Sequence, residues 1–541
     1  LKTTAYINVS DLRKICKSVD SDIESGIAGV FAQKRTREKA MTYSRALSDP
    51  LVQVKTSWEI AESIGCENPG AVQSLMGENR WGHQGVWDVT ATCAAGLEEP
   101  GNGDPLGIGV IADETADAKR GRQTAGVGYQ YAGIAGCVIN CTTWVALALV
   151  GPRYKTWVSS DLYLPKKDWF TGRKETGTAR RKKAGVPKGT RFATKPQIAR
   201  KRFAHLRSIG IKFDWAGGDE VYGRCRKLLG DHERNRESYA YFIPCDYKVE
   251  TAWKQHVRVD ELLRLTNPAF ETRSAGPGVN GPRYYEWALI GLNSPDHYVL
   301  VRRPVREEGS ADGGKIVVGN KEATNGKLDE SSPGKFVNED EESKEKEAGA
   351  TYCLCFVPLG SRVKPTIGNL ILMAGRRWGI EEANASEKGP IGWDENQFRK
   401  WDSLHRHTAL AGLAAIRANM IIRRIEEEAS REDARQNDPE ISELPESGPS
   451  EPREEEDREC NQEDFLIPVG DSAVPDSATQ GIPGDIGFVR LTVNEVMRLV
   501  KIVMSDIGDM EMAFHLRWSK WRRRHQAIAR WHHRKARLKE L

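Results

Sequence analysis

"LGIGVIAD", residues 106–113, is a short apolar run that closes on an acid, and its reading decides the fold. A run of this length bounded by turn residues reads as a buried strand ending on Asp113. "TAGVGYQYAG" (124–133) and "CVINCTTWVALAL" (137–149) read as two more strands, joined by glycine-containing turns. A helix "PQIARKRFAHLRSIG" (196–210) then leads to a fourth strand, "IKFDWAGGD" (211–219), which ends on Asp219. A helix over 220–230 and a fifth strand, "SYAYFIPC" (238–245), complete the pattern. Three strands followed by alternating helix and strand predict an α/β or α+β sheet layered with helices.

Working outward, residues 1–105 read as helical. "TSWEIAESIGCENPGAVQSLM" (56–76) opens with a Thr56-x-x-Glu59 capping box and is either a helix-turn-helix or an ordinary helical hairpin. Residues 247–350 carry β-like pieces, "RYYEWALIGL" and "HYVLVRRPV", among charged glycine-rich loops. Within them, 328–350 has the composition of a disordered segment. "TYCLCFVPL" (351–359) resumes strand character, and "SLHRHTALAGLAAIRANMIIRR" (403–424) is apolar enough for a buried helix. The expected division is a helical DNA-binding domain (1–105), a core in two parts (106–246 and 351–425), a β-rich insertion (247–350), an acidic disordered linker (426–485) and a basic helical segment (486–541).

The formal charge of +4 hides a strong asymmetry. Glu426 to Glu459 holds 15 acids and 4 bases, so the remainder carries +15. Residues 165–207 hold 15 Lys/Arg against two acids, and 517–539 hold ten with no acid. Such density points to a phosphate backbone as partner, with Arg522, Arg523 and Arg524 as contacts in the last segment. An acidic-lipid surface is the competing reading, kept open by Trp518, Trp521 and Trp531. No secretion signal opens the chain, and its longest apolar run, 138–151, is too short to span a bilayer. The first residue is Leu1, which leaves the true start open. The ten cysteines form no CxxC pair; reduced, buried thiols in a cytosolic protein are expected. His405 and His407, at i and i+2 on a helix, point apart and read as structural.

The chemistry rests on acids. "RRWGIEEANASEKG" (376–389) reads as the last turns of a helix, and spacings of four and seven put Arg377, Glu381 and Lys388 within about 40° of one line. Asp113, Asp219 and Glu381 come from three distant positions. Three acids converging would repel one another unless a divalent cation sat among them, and oxygen ligands suit Mg²⁺. Each acid taken separately could equally be a strand-end cap or a surface ion pair.

"DETADAKRGRQTAGVGYQYAG" (113–133), "GGDEVYGRC" (217–225) and "RRWGIEEANASEKG" with "GWDENQFR" and "HRHTALAGLA" resemble the three motif blocks of bacterial insertion-sequence transposases. The resemblance is to the IS seven-zero-one group of DDE transposases, relatives of the IS-four type. It extends to "KTSWEIAESIG", "GVPKGTRFATKPQIA" and "RWSKWRRRHQAIARWHHRK", and so covers most of the chain.

It implies an RNase H-like core with Asp113, Asp219 and Glu381 as catalytic metal ligands for two Mg²⁺ ions, Mn²⁺ being able to substitute. It also implies a homodimer on double-stranded DNA, acting on transposon inverted-repeat ends and target DNA, with no membrane partner. The same resemblance places the protein in a bacterial cytoplasm, associated with the nucleoid. Arg377 and Lys388 would then grip end phosphates, while the tyrosine position of that pattern holds Ala374. Lys119, Tyr222 and Arg224 follow the first two acids as DNA-contact candidates. Trp253 and Trp287, in the insertion, are candidates for stacking on an unpaired base, against a core role for Trp287. The alternatives are a non-cutting DNA-binding regulator and an RNase H-like nuclease without strand transfer.

Overall fold

The computed structural model describes residues 5–98, 103–171, 174–278, 281–305, 349–436, 465–469, 488–505 and 508–540. The expected disordered stretch 328–350 falls almost wholly outside them, as does most of the acidic linker. The chain divides into two compact units. One comprises Ala94–Ala385 with Phe398–His405, the other Leu1–Cys93, Ser386–Gln397 and Arg406–Leu541.

The first unit is built on a ten-stranded sheet. Strand β2 (Gly109–Ala118) pairs antiparallel with β4 (Cys137–Val150), whose other edge is shared by β3 (Gly128–Ala132) and β5 (Lys155–Tyr163). On the far side of β2 lie β6 (Trp215–Gly218) and β7 (Ser238–Ile243), both parallel to it. The sheet continues antiparallel through β13 (Thr351–Phe356), β12 (His297–Arg303), β11 (Gly281–Gly291) and β10 (Glu271–Gly278). A small hairpin of β8 (Lys248–Glu250) and β9 (His256–Arg258) stands apart from the sheet.

Three features of the sheet depart from the sequence reading. Strand β2 does not end at Asp113 but runs five residues further, because β4 offers it ladder partners as far as Cys141. Strand β5 was not expected at all: "KTWVSSDLY" buries Thr156, Ser159 and Ser160 together with Trp157 and Val158, so its pattern is not an apolar one. The strands of 271–303 join β13 through β12 and so extend the main sheet rather than forming a β unit of their own.

Helices cover this sheet. Helix α6 (Lys166–Trp169) and α7 (Lys174–Lys183) precede α8 (Lys195–Ser208), which packs on β4 and β5. Thr194 caps α8 through a reciprocal capping box with Gln197. The one-turn α9 (Glu220–Gly223) lies on β7, where a Cβ at Gly223 would collide with the Phe242 carbonyl oxygen. Helices α10 (Arg226–Arg234), α11 (Val259–Thr266) and α12 (Ile367–Arg376) follow.

The helix expected across 376–389 is broken. α12 ends at Arg376 and α13 (Gly379–Lys388) starts three residues later. Trp378, Ile380 and Glu381 donate three residues back, to Gly375, Arg377 and Trp378. That tight turn follows from Gly375, packed where any Cβ would strike the Ala275 carbonyl, and from Gly379 at the restart. Arg377 and Glu381 therefore do not share one helical face.

In the second unit, α1 (Val9–Gly26) precedes a three-helix group of α2 (Lys34–Leu47), α3 (Ser57–Ser63) and α4 (Gly70–Gly77). Helix α5 (His83–Ala95) follows. The long α14 (Trp401–Gln436) buries nearly every residue from Ser403 to Ala418. His407 bridges the Tyr43 hydroxyl (2.8 Å) and the Trp393 carbonyl (2.9 Å), whereas His405 contacts Asp161 at 3.2 Å, so the two histidines serve separate neighbourhoods. The expected linker is ordered at both described ends: α14 runs to Gln436, and β14 (Leu466–Val469) pairs with β1 (Ala5–Asn8). Helix α15 (Val493–Val503) and α16 (Asp509–Glu540) complete the chain. Among the described residues no helix is long and apolar enough to cross a membrane.

Candidate active site

The parallel register of β2 and β6 ends with Ala112 opposite Gly218. The next residues are Asp113 and Asp219, so two acids 106 positions apart emerge side by side where β6 stops. Asp219 caps α9, its Oδ1 accepting the Val221 N–H at 3.0 Å. Asp113 is 7% exposed; its Oδ1 accepts the Glu114 N–H at 2.8 Å and its Oδ2 lies 3.5 Å from Arg377 Nη1. Glu114 joins them. Its Oε1 lies 2.5 Å from Lys195 Nζ, and its Oε2 accepts the Tyr222 hydroxyl at 3.0 Å. One carboxylate oxygen from each of Asp113, Glu114 and Asp219 falls within 4.8 Å of the others.

Burial pushes the Asp113 carboxyl well above the usual range. Arg377 opposes that shift, and the charges of Asp219, Glu381 and Glu114 reinforce it. Asp219 is raised to about 6, first by burial and then by Glu114. Glu381, in the first turn of α13, acts on Asp113 electrostatically but lies outside the 4.8 Å group. Acids that repel one another around buried Asp113, all offering oxygen, are the donor set a hard divalent cation fits.

The remaining predicted residues separate into those that face outward and those that do not. Tyr222 is fully buried and spends its hydroxyl on Glu114, so it positions an acid and is not a DNA contact. Trp287 is 1% exposed, with its indole N–H donated to the Arg273 carbonyl at 3.1 Å; it is core, because strand alternation turns it into the sheet's covered face. Arg523 is also buried, its guanidinium bonded to the carbonyls of Val489 and Pro468, and so it is removed from the DNA-contact set. Arg522 forms a fork with Glu495. Lys119 pairs with buried Asp117 at 2.6 Å, and Arg224 with Glu220 one turn before it. Lys388 closes α13 with its ammonium 5.9 Å from the Trp393 ring. Trp253 and Arg524 are exposed.

The same sorting applies to the basic segment 165–207. Arg180 and Arg181 bond backbone carbonyls, Arg200 and Arg207 pair with Asp231 and Glu237, and Arg202 lies 3.7 Å from Asp161. Exposed among the described residues are Lys166, Lys167, Lys182, Lys183, Lys188, Arg191 and Lys201, of which Lys182, Lys183, Lys188 and Arg191 lie together on the last turn of α7 and the loop after it. Sequence reasoning missed Glu114 and its partner Lys195. The signal that could have found Glu114 is the acid doublet at 113–114.

Residues 27–258 match the family profile described as DDE superfamily endonuclease, a segment that includes Asp113, Glu114 and Asp219 but not Glu381. The chain is similar to a probable transposase for insertion sequence element IS701 from Microchaete diplosiphon. It is 26% identical to that protein over 265 residues, which cover 46% of this chain and 63% of the relative. The paired acids at the end of β6 fall inside the matched residues 27–258, so the strand register and the similarity to DDE superfamily endonucleases point to the same segment.

Proposed function

We propose that the chain is a DNA transposase that cuts at transposon ends and joins them to target DNA through Asp113, Asp219 and Glu381. The observation that carries the proposal is the register placing Asp113 beside Asp219, with Glu381 near enough to perturb Asp113. The sheet supports an RNase H-like core. Taken in chain order as first to fifth, β2, β4, β5, β6 and β7 lie in the order third, second, first, fourth, fifth. The first three are antiparallel, and the last two run parallel to the first. The domain division proposed from sequence is kept for the core, with β10–β12 added to its sheet.

A bound pair of Mg²⁺ ions would supply an activated oxygen nucleophile and stabilise the leaving oxygen. Asp113, Asp219 and Glu381 would hold that charge. Arg377, 3.5 Å from Asp113, would sit beside the scissile phosphate. Lys182, Lys183, Lys188 and Arg191 would hold the duplex backbone, with Lys388 and Arg524 as further phosphate contacts. Trp253, 47% exposed at the tip of the β8–β9 hairpin, would stack on an unpaired base. The active form on DNA is a homodimer, acting at the bacterial nucleoid.

The test uses end-labelled duplexes carrying the element's terminal repeats, Mg²⁺ and a supercoiled plasmid. The expected products are a nick at the repeat boundary and then label joined covalently to plasmid. Nicking without joining would reduce the proposal to a nuclease, and retention of DNA with no nicking would reduce it to a binding protein.

A further inference from the structure

Glu114 is the one carboxylate of the cluster with both oxygens occupied by side chains. Tyr222 holds one oxygen from α9, beside Asp219, and its phenol is wholly buried. Lys195 holds the other from the first position of α8, where the capping box fixes the backbone. The two partners differ in what could displace them. The tyrosine is walled in, whereas Lys195 remains partly exposed, four residues beyond exposed Arg191 and seven beyond exposed Lys188. A polyanion lying along that loop meets the Lys195 ammonium next. An ammonium is a compact charge on a flexible stem, and phosphate competes with carboxylate for it.

We propose that Glu114 is a cation ligand gated by DNA. In the DNA-free protein Lys195 holds it in an internal ion pair. A backbone phosphate that takes Lys195 frees an oxygen of a carboxylate that already groups with Asp113 and Asp219. The gate thus ties filling of the metal site to the presence of substrate. It rests on the reading of Asp113 and Asp219 as cation ligands. By reciprocity, the cation must raise DNA affinity by the same factor that DNA raises cation affinity.

Mn²⁺ titrated into the DNA-free full chain, followed by loss of the free-ion paramagnetic resonance signal, tests it without reference to cleavage. Lys195→Met should bind Mn²⁺ about fivefold more tightly than wild type, the low end of ordinary coupling between sites. Lys195→Arg retains the pair and should match wild type. The gain should vanish in the Glu114→Gln/Lys195→Met double variant when compared with Glu114→Gln alone. With Ca²⁺ as the ion, wild type should gain about fivefold in affinity for a labelled duplex and Lys195→Met less than about twofold. Wild-type Mn²⁺ affinity in Lys195→Met, or an undiminished gain in the double variant, would overturn the gate while leaving the metal site standing. Undiminished Mn²⁺ binding in Asp113→Asn would remove the metal site itself, and the gate with it.

Discussion

The acid cluster at the end of β6 and the basic helix α16 are both dense in one sign of charge, yet they are built in opposite ways. Around Asp113, four carboxylates (Asp113, Glu114, Asp219 and Glu381) face two cations, Arg377 and Lys195. The surplus is negative, and Asp113 at its centre is buried. On α16, Arg522 finds Glu495 and Arg523 finds two carbonyls, so much of its charge is consumed by the packing of its own unit. A surplus around a buried acid that internal cations only partly compensate is costly and persists where a ligand completes it. A surplus that closes on itself is architecture. Sequence density alone does not distinguish the two; partners do.

The largest expected effect tests the open side of that comparison. Asp113→Ala, Asp219→Ala and Glu381→Ala should each lower Mg²⁺-dependent nicking by about three orders of magnitude or more, while duplex binding in gel shift stays near wild type. A variant that cuts normally would place its residue outside the site.

Next come residues that looked functional and are core. Trp287→Ala should cost about 3–5 kcal/mol in chemical denaturation, as loss of a buried indole does. Trp253→Ala should melt like wild type and slow only the steps after the first nick. Equal destabilisation by both would erase the distinction drawn from their burial.

Glu387, on α13, sharpens the comparison as a buried acid of another kind. Both its oxygens lack hydrogen-bond partners, and burial alone raises its carboxyl to about 8. A raised acid stabilises the fold fully below its ordinary value of 4.5, and that contribution is lost as pH rises to about 8. Glu387→Gln should therefore gain on wild type steadily between these limits, by roughly 5 °C or more in Tm between pH 5 and pH 8.5. A pH-independent difference would show that the carboxyl finds a partner.

The smallest effects lie on α16. Arg523→Met should destabilise by about 1–3 kcal/mol, since it strands two buried carbonyls. Arg524→Ala should change stability by less than about 0.5 kcal/mol and reduce the salt slope of DNA binding by about one ion. Matching effects from the two neighbours would contradict the burial that separates them.

The strands carrying Asp113 and Asp219 were legible because their apolar runs are local signals. Strand β5 was not, because three buried hydroxyl residues break its apolar pattern. The membership of β10–β12 in the main sheet was also hidden, since it depends on pairing with β13 across the long segment 306–348. The break between α12 and α13 arises from a tertiary contact, Gly375 against the Ala275 carbonyl, which no helical periodicity encodes. At the site, the two aspartates could be found from their strand ends. Glu114 could not, because its role depends on Lys195 and Tyr222, 81 and 108 residues away.

The central claim is that Asp113 holds a divalent cation at a DNA-cutting centre. Asp113→Cys tests it most directly, because sulfur binds Mg²⁺ poorly and tolerates softer ions better. Nicking of the end-labelled duplex by this variant should be lost in Mg²⁺ and return in part in Mn²⁺, with wild type active in both. Undiminished nicking by Asp113→Cys in Mg²⁺ would contradict the account.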